Sequence, residues 1–136
     1  MKNTLRIGEA IYARLKQFKN VYPLVADEGT TFPFMIYRRS SGYSISTKDG
    51  IYSAVANIDV MIAAQSYEES IELADKVLLQ LESTRGNVAG FDIWSIRMVD
   101  SNETYIENSF IQELKFSVEF SLLDTHFDKA CTDMQT

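Results

Sequence analysis

The sequence is short of most residues that carry out chemistry. Its single cysteine, Cys131, excludes an internal disulfide and a cysteine-based zinc site. There is one histidine, His126, and it lies near the C-terminus. The glycines form no phosphate loop, because the stretch Gly86 to Gly90 lacks the lysine and Ser/Thr that such a loop requires. The longest apolar run, Val60 to Ala64, is far below the roughly twenty residues of a membrane helix. The first residues, Met1 to Arg6, have no apolar signal core behind them, so the expectation is a soluble cytoplasmic protein. There is no internal repeat and no low-complexity tract.

Cations are also in deficit. Thirteen Lys and Arg stand against 19 Asp and Glu, a net charge of -6. Affinity for the nucleic-acid backbone comes mainly from clustered Lys and Arg, so this balance argues against general DNA binding. The deficit is uneven. Residues 1–48 carry eight basic and three acidic side chains, whereas residues 49–136 carry five basic and sixteen acidic.

What is present suits one compact domain. The chain has 136 residues, 46% of them hydrophobic and 12% aromatic, enough for a core and too apolar for a disordered chain. Leu5, Ile7, Ala10, Ile11, Leu15 and Phe18 recur at helical spacing, predicting a helix over about residues 4–19. Residues 20–33 hold Pro23, Gly29 and Pro33 and read as a loop. Phe34 to Arg39 suits a short strand, broken by Ser40-Ser41-Gly42. Asp49-Gly50 is a hairpin-turn signal, and Tyr52 to Ala64 alternates as a long strand with one buried face. Ser66 to Glu69 has capping-box form and opens a helix over about 67–82. Residues 83–90 read as a loop, Phe91 to Val99 as a strand and Asp100 to Glu103 as a turn. Phe110 to Leu122 alternates most cleanly, with Phe116, Val118 and Phe120 on one face and Lys115, Ser117 and Glu119 on the other. The order is α-β-β-β-α-β-β. It predicts an α+β fold: a mainly antiparallel sheet of four to five strands with two helices packed on it, over residues 1–123, and a flexible tail over 124–136.

Candidate sites are few. Asp124, His126 and Asp128 could share one side of an extended segment and hold a metal, against the alternative of a solvated tail. Cys131 and His126 form a nominal nucleophile and base in the same terminal stretch, where activating geometry is not expected. Asn102-Glu103-Thr104 fits a glycosylation sequon, which a cytoplasmic chain does not use. No metal or cofactor is expected. Arg38-Arg39 is the one tight basic pair. On a strand the two point to opposite faces, as ordinary solvated residues or as contacts to an acidic neighbour. The stretch Ser40 to Ser53 is long and polar for a strand connection. It is either a projecting arm, with Tyr43, Ile45, Ile51 and Tyr52 packing on another chain, or a self-packed Ω-like loop.

Taken in order, these motifs resemble the tail-completion, or tail-terminator, proteins of long-tailed bacteriophages and prophages. The resemblance runs over about residues 5–122. It rests on the N-terminal amphipathic helix, Pro33 to Tyr37, Ser41-Gly42, Thr47 to Gly50, Ala56 to Val60, Tyr67 to Ala74, Asp100 to Tyr105 and the final strand. Met61 to Ala64 is more aliphatic than the family pattern, and the tail after Leu122 has no counterpart in it. The resemblance implies a non-enzymatic subunit that forms a ring, usually a hexamer, on the head-proximal end of the tail tube. Its partners are then further copies of itself, the tail tube protein and the head connector protein. DNA passes through the lumen without specific binding, no membrane is involved, and the protein moves from host cytoplasm to virion. Arg38, Arg39, Gly42, Tyr43, Ile45, Lys48, Asp49, Gly50 and Tyr52 are the expected subunit or tube contacts, with Arg38, Arg39 and Lys48 facing acidic partners. Two other readings stand beside it. One is a small-ligand-binding or enzymatic α+β domain with a carboxylate site around Asp59 or Asp92. The other is a related head-completion or minor capsid protein.

Overall fold

The computed structural model describes residues 3–46 and 52–123. A 3₁₀ turn, Thr4–Arg6, leads into helix α1, Gly8–Leu15. Strand β1, Val21–Pro23, precedes the long strands β2, Phe34–Ser46, and β3, Tyr52–Ala64. Helix α2, Tyr67–Glu82, is followed by β4, Gly86–Val88, β5, Phe91–Ile106, and β6, Ser109–Ser121. The strands form one six-stranded sheet in the order β1-β2-β3-β6-β5-β4. All neighbours are antiparallel except β1 and β2, which are parallel. The expected four to five strands are therefore corrected to six, in a sheet that is mainly antiparallel with one parallel pair at its edge. The two additions, β1 and β4, have three residues each, too short for any period to show.

Both helices cover one face of the sheet. Ala10, Ile11 and Leu15 from the first, with Ile7 just before it, and Ala74, Val77 and Leu81 from the second, meet Met35, Ala56, Ile58, Val60, Ile93, Ile96, Phe116 and Phe120. Strand residues alternate between faces, so the even positions of β3 and β6 supply this inner layer. Phe91 and Phe120 meet edge to face at 5.4 Å in it. The Ser66 hydroxyl accepts from the Glu69 N–H at 3.2 Å and starts α2 where the capping pattern predicts. α2 has no basic residue in its own last turn. Arg14 of α1 supplies the cation, donating to the Gln80 carbonyl and the Thr84 hydroxyl, while Gln80 donates back to the Arg14 carbonyl.

The opposite, outer face carries no helix among the described residues. Even so, Val55, Asp59 and Ala63 of β3 are buried there, because larger cross-strand neighbours shade them. Val55 lies between Tyr43 and Glu119, Asp59 between Arg38 and Lys115, and Ala63 between Phe34 and Ile111.

Two segments expected to break run on as strand. β2 passes through Ser40-Ser41-Gly42 with a bulge between Arg39 and Ser41, where the Ser40 hydroxyl donates to the Asn57 carbonyl and the Asn57 amide donates to the Ser41 hydroxyl. The reading of this stretch as an Ω-like loop therefore fails for residues 40–46, which pair with β3 as a ribbon. β5 passes through Asp100 to Glu103 with a bulge between Met98 and Asp100, and the turn falls at Glu107-Asn108 instead, where both residues have positive φ. The two ribbons leave the body of the sheet at opposite ends. Beyond their roots, residues 40–46 of β2 and 100–106 of β5 are exposed throughout, so they lack the alternating burial that marks a strand. The helix expected over 4–19 is shorter and divided between the 3₁₀ turn and α1.

Candidate functional site

The structure separates the residues expected at an interface. Arg38 lies on the outer face, where its Nε donates to Asp59 Oδ2 at 3.1 Å. The Arg38 side chain is 58% exposed and that of Asp59 only 10%, so the guanidinium keeps outward donors while it neutralises a nearly buried carboxylate. Arg39 lies on the inner side opposite Ile58, and its Nη1 donates to the Thr4 carbonyl at 2.7 Å. Gly42 is beside it, and a Cβ there would come within 2.8 Å of the Thr4 side chain. Arg39 and Gly42 thus seat the 3₁₀ turn on the ribbon. Tyr43 and Ile45 are exposed on the outer face, whereas Tyr52 is half-buried and packs on the core. Lys48, Asp49 and Gly50, like His126 and Cys131, lie outside the described residues. Asp59 and Asp92 are on different strands at different heights of the sheet, and Asp92 accepts from Trp94 Nε1.

Arg38 begins a row that spacing along the chain does not reveal. It pairs with Asp59, Asp59 with Lys115, and Lys115 with Asp100. The outer face therefore carries charges alternating cation, anion, cation, anion across β2, β3, β6 and β5. Asp100 is exposed, and one of its oxygens accepts from the Ser101 N–H. Beside this row, Leu24, Ile36, Met61 and Glu113 join Arg38 and Asp59 in lining a pocket of about 210 Å³.

A second cluster ties α2 to the β5–β6 ribbon. Glu103 accepts from the Tyr67 hydroxyl at 2.9 Å and from Gln112 Nε2 at 2.9 Å, and Gln112 also donates to the Ser70 hydroxyl. The Gln112 and Tyr67 hydrogen bonds hold the Glu103 carboxyl below the usual carboxylate range. The same bond to Glu103 pushes the Tyr67 phenol up, because the carboxylate favours the protonated form. Tyr67, Tyr105 and Phe110 complete a pocket of about 300 Å³, with Phe110 between the two tyrosine rings. Among the described residues, no three His, Cys, Asp or Glu side chains gather where they could hold a metal ion. No helix among them is long and apolar enough to cross a membrane.

The fold resembles that of a chain in a virion. That chain belongs to the virion of the native gene transfer agent particle. The TM-score is 0.73 at 12% identity, covering 87% of this chain and 99% of that one. At this identity the likeness is one of fold. No protein-family model matches the sequence, and no curated protein matches it.

The sheet edges complete the site. β1 pairs with β2 only at Met35 to Tyr37, and β4 pairs with β5 only at Phe91 to Ile93. Among the described residues, no strand flanks β2 from Arg38 onward or β5 from Trp94 onward on the sides away from β3 and β6. β2 carries two cations, Arg38 and Arg39, and no anion. β5 carries three anions, Asp92, Asp100 and Glu103, and one cation, Arg97.

Proposed function

We propose that the protein is a structural virion subunit that caps the head-proximal end of a tail tube as a ring and joins tail to head. The observation that carries the reading is the fold likeness to a virion chain along nearly its whole length. The resemblance of the ordered sequence motifs to those of tail terminators supports the finer role. The proposed action is non-enzymatic and rests on surface complementarity and symmetry. A ring requires a heterologous interface, in which one patch meets a different patch on the next copy. The cationic edge of β2 and the anionic edge of β5 are two such patches. The proposed partners are copies of this chain, usually six in the related rings, the tail tube protein and the head connector, and the proposed setting is the head–tail junction of a virion. No cofactor takes part, and DNA moves through the lumen without being read.

The test is to incubate the purified protein with tail tubes and examine them by negative-stain microscopy. Rings on one end of each tube, and arrested tube growth, are the expected result. A protein that stays monomeric at high concentration and leaves tubes bare and growing overturns the reading.

A further inference from the structure

We infer that the open edge of β5 is the docking surface for the open edge of β2 in a second copy of this chain, with Asp100 of one copy bridging to Arg38 of the next. The inference rests on the ring reading and adds the contact that joins its subunits. Three observations lead to it. The row Arg38, Asp59, Lys115, Asp100 starts with a cation on one open edge and ends with an anion on the other. Copies set side by side therefore continue the alternation across the joint, whereas β2 beside β2 sets one cationic edge, with no anion on it, against another. Next, β2 and β5 run in opposite directions within the sheet, so β5 of one copy meets β2 of the next in the antiparallel sense used by the other long strands. Last, both members of the bridge are exposed and keep free hydrogen-bonding capacity: the guanidinium beyond its Nε contact with Asp59, and the Asp100 oxygen not taken by Ser101.

The contact is short. At equal heights in the sheet, only Arg38 to Tyr43 of β2 and Ser95 to Asp100 of β5 are both uncovered. Within this window the Met98 N–H already donates to Glu82 Oε2 at 2.9 Å. The charged row, more than a continued backbone ladder, therefore selects the partner and its register.

Cysteine pairing tests the geometry. Ser41 and Arg97 stand at the same height on the two edges, each exposed. In a Cys131→Ser background, Ser41→Cys with Arg97→Cys should give, on mild oxidation, a ladder of linked oligomers. Each single variant should give dimers at most, and Ser41→Cys with Leu79→Cys on the outer side of α2 should give no ladder. Asp100→Lys added to the first pair should cut ladder yield at least tenfold and leave the thermal melt of the monomer in place. Rings in the microscope without the Ser41–Arg97 ladder, or with a ladder indifferent to Asp100→Lys, overturn this inference and leave the ring reading standing. Absence of both rings and ladder removes the ring reading and this inference with it.

Discussion

At the scale of single residues, the fold assigns several polar groups to holding the chain together. Gly42 gives room to Thr4. Gly42→Ala should force the 3₁₀ turn off the ribbon and cost about 1–3 kcal/mol in chemical denaturation, with the loss concentrated in early opening of residues 3–7 by hydrogen exchange. Glu103 and Tyr67 form a clasp with a pH window. The folded carboxyl titrates below its ordinary value, so its contribution is complete above that value and is lost as pH falls through the lowered one. The folded phenol titrates above its ordinary value, so its contribution is complete below that value and is lost as pH rises through the raised one. The Tyr67 ring signals in an NMR titration should therefore move at both extremes and hold steady between them, and Glu103→Gln should remove the acidic step. The tight pair Arg38-Arg39 was visible in the sequence, and so was its division between faces. Asp100 was not, because its polar surroundings read as a turn, and its neighbours Lys115 and Arg38 become neighbours only through strand register.

At the scale of elements, what the sequence made legible follows burial. β3, α2 and β6 lie against the core for most of their length, and their apolar periods predict their bounds to within a residue. The residues of β2 beyond Arg39 and of β5 beyond Val99 are all exposed, touched by the 3₁₀ turn at Gly42 and by Tyr67 at Glu103 but not buried by them, so no buried face imposes a period. Short β1 and β4 carry no period of their own and exist because long neighbours offer them an edge. Local signals did well where the physics is local: the Ser66 cap sits where predicted, and Ser66→Ala should lower stability by about 1 kcal/mol, read from the urea midpoint at unchanged slope. The two-residue turn at Glu107-Asn108 was missed because glutamate seldom adopts positive φ.

At the scale of the whole molecule, the split of charge between the two ends of the chain becomes an asymmetry between the two edges of one sheet. Arg38 and Arg39 do not form a basic patch, since one faces outward and the other holds the 3₁₀ turn. What persists is a cationic β2 and an anionic β5. Assembly through those edges should weaken as salt rises from about 0.05 to 0.5 M, where screening shortens to a few ångströms, and sedimentation at matched protein concentration should report it. Salt-insensitive assembly would leave apolar surface, not the charged row, as the source of association.

The placement of the two short strands has a further consequence. β1 occupies the side of β2 at one end of the sheet, and β4 the side of β5 at the other. A neighbour docked between them is blocked from sliding in either direction along the strands. The bulges after Arg39 and after Met98 sit at nearly the same height, one on each open edge. In the proposed ring, such stops would hold every copy in the same register against the next, so that one joint geometry repeats around the assembly.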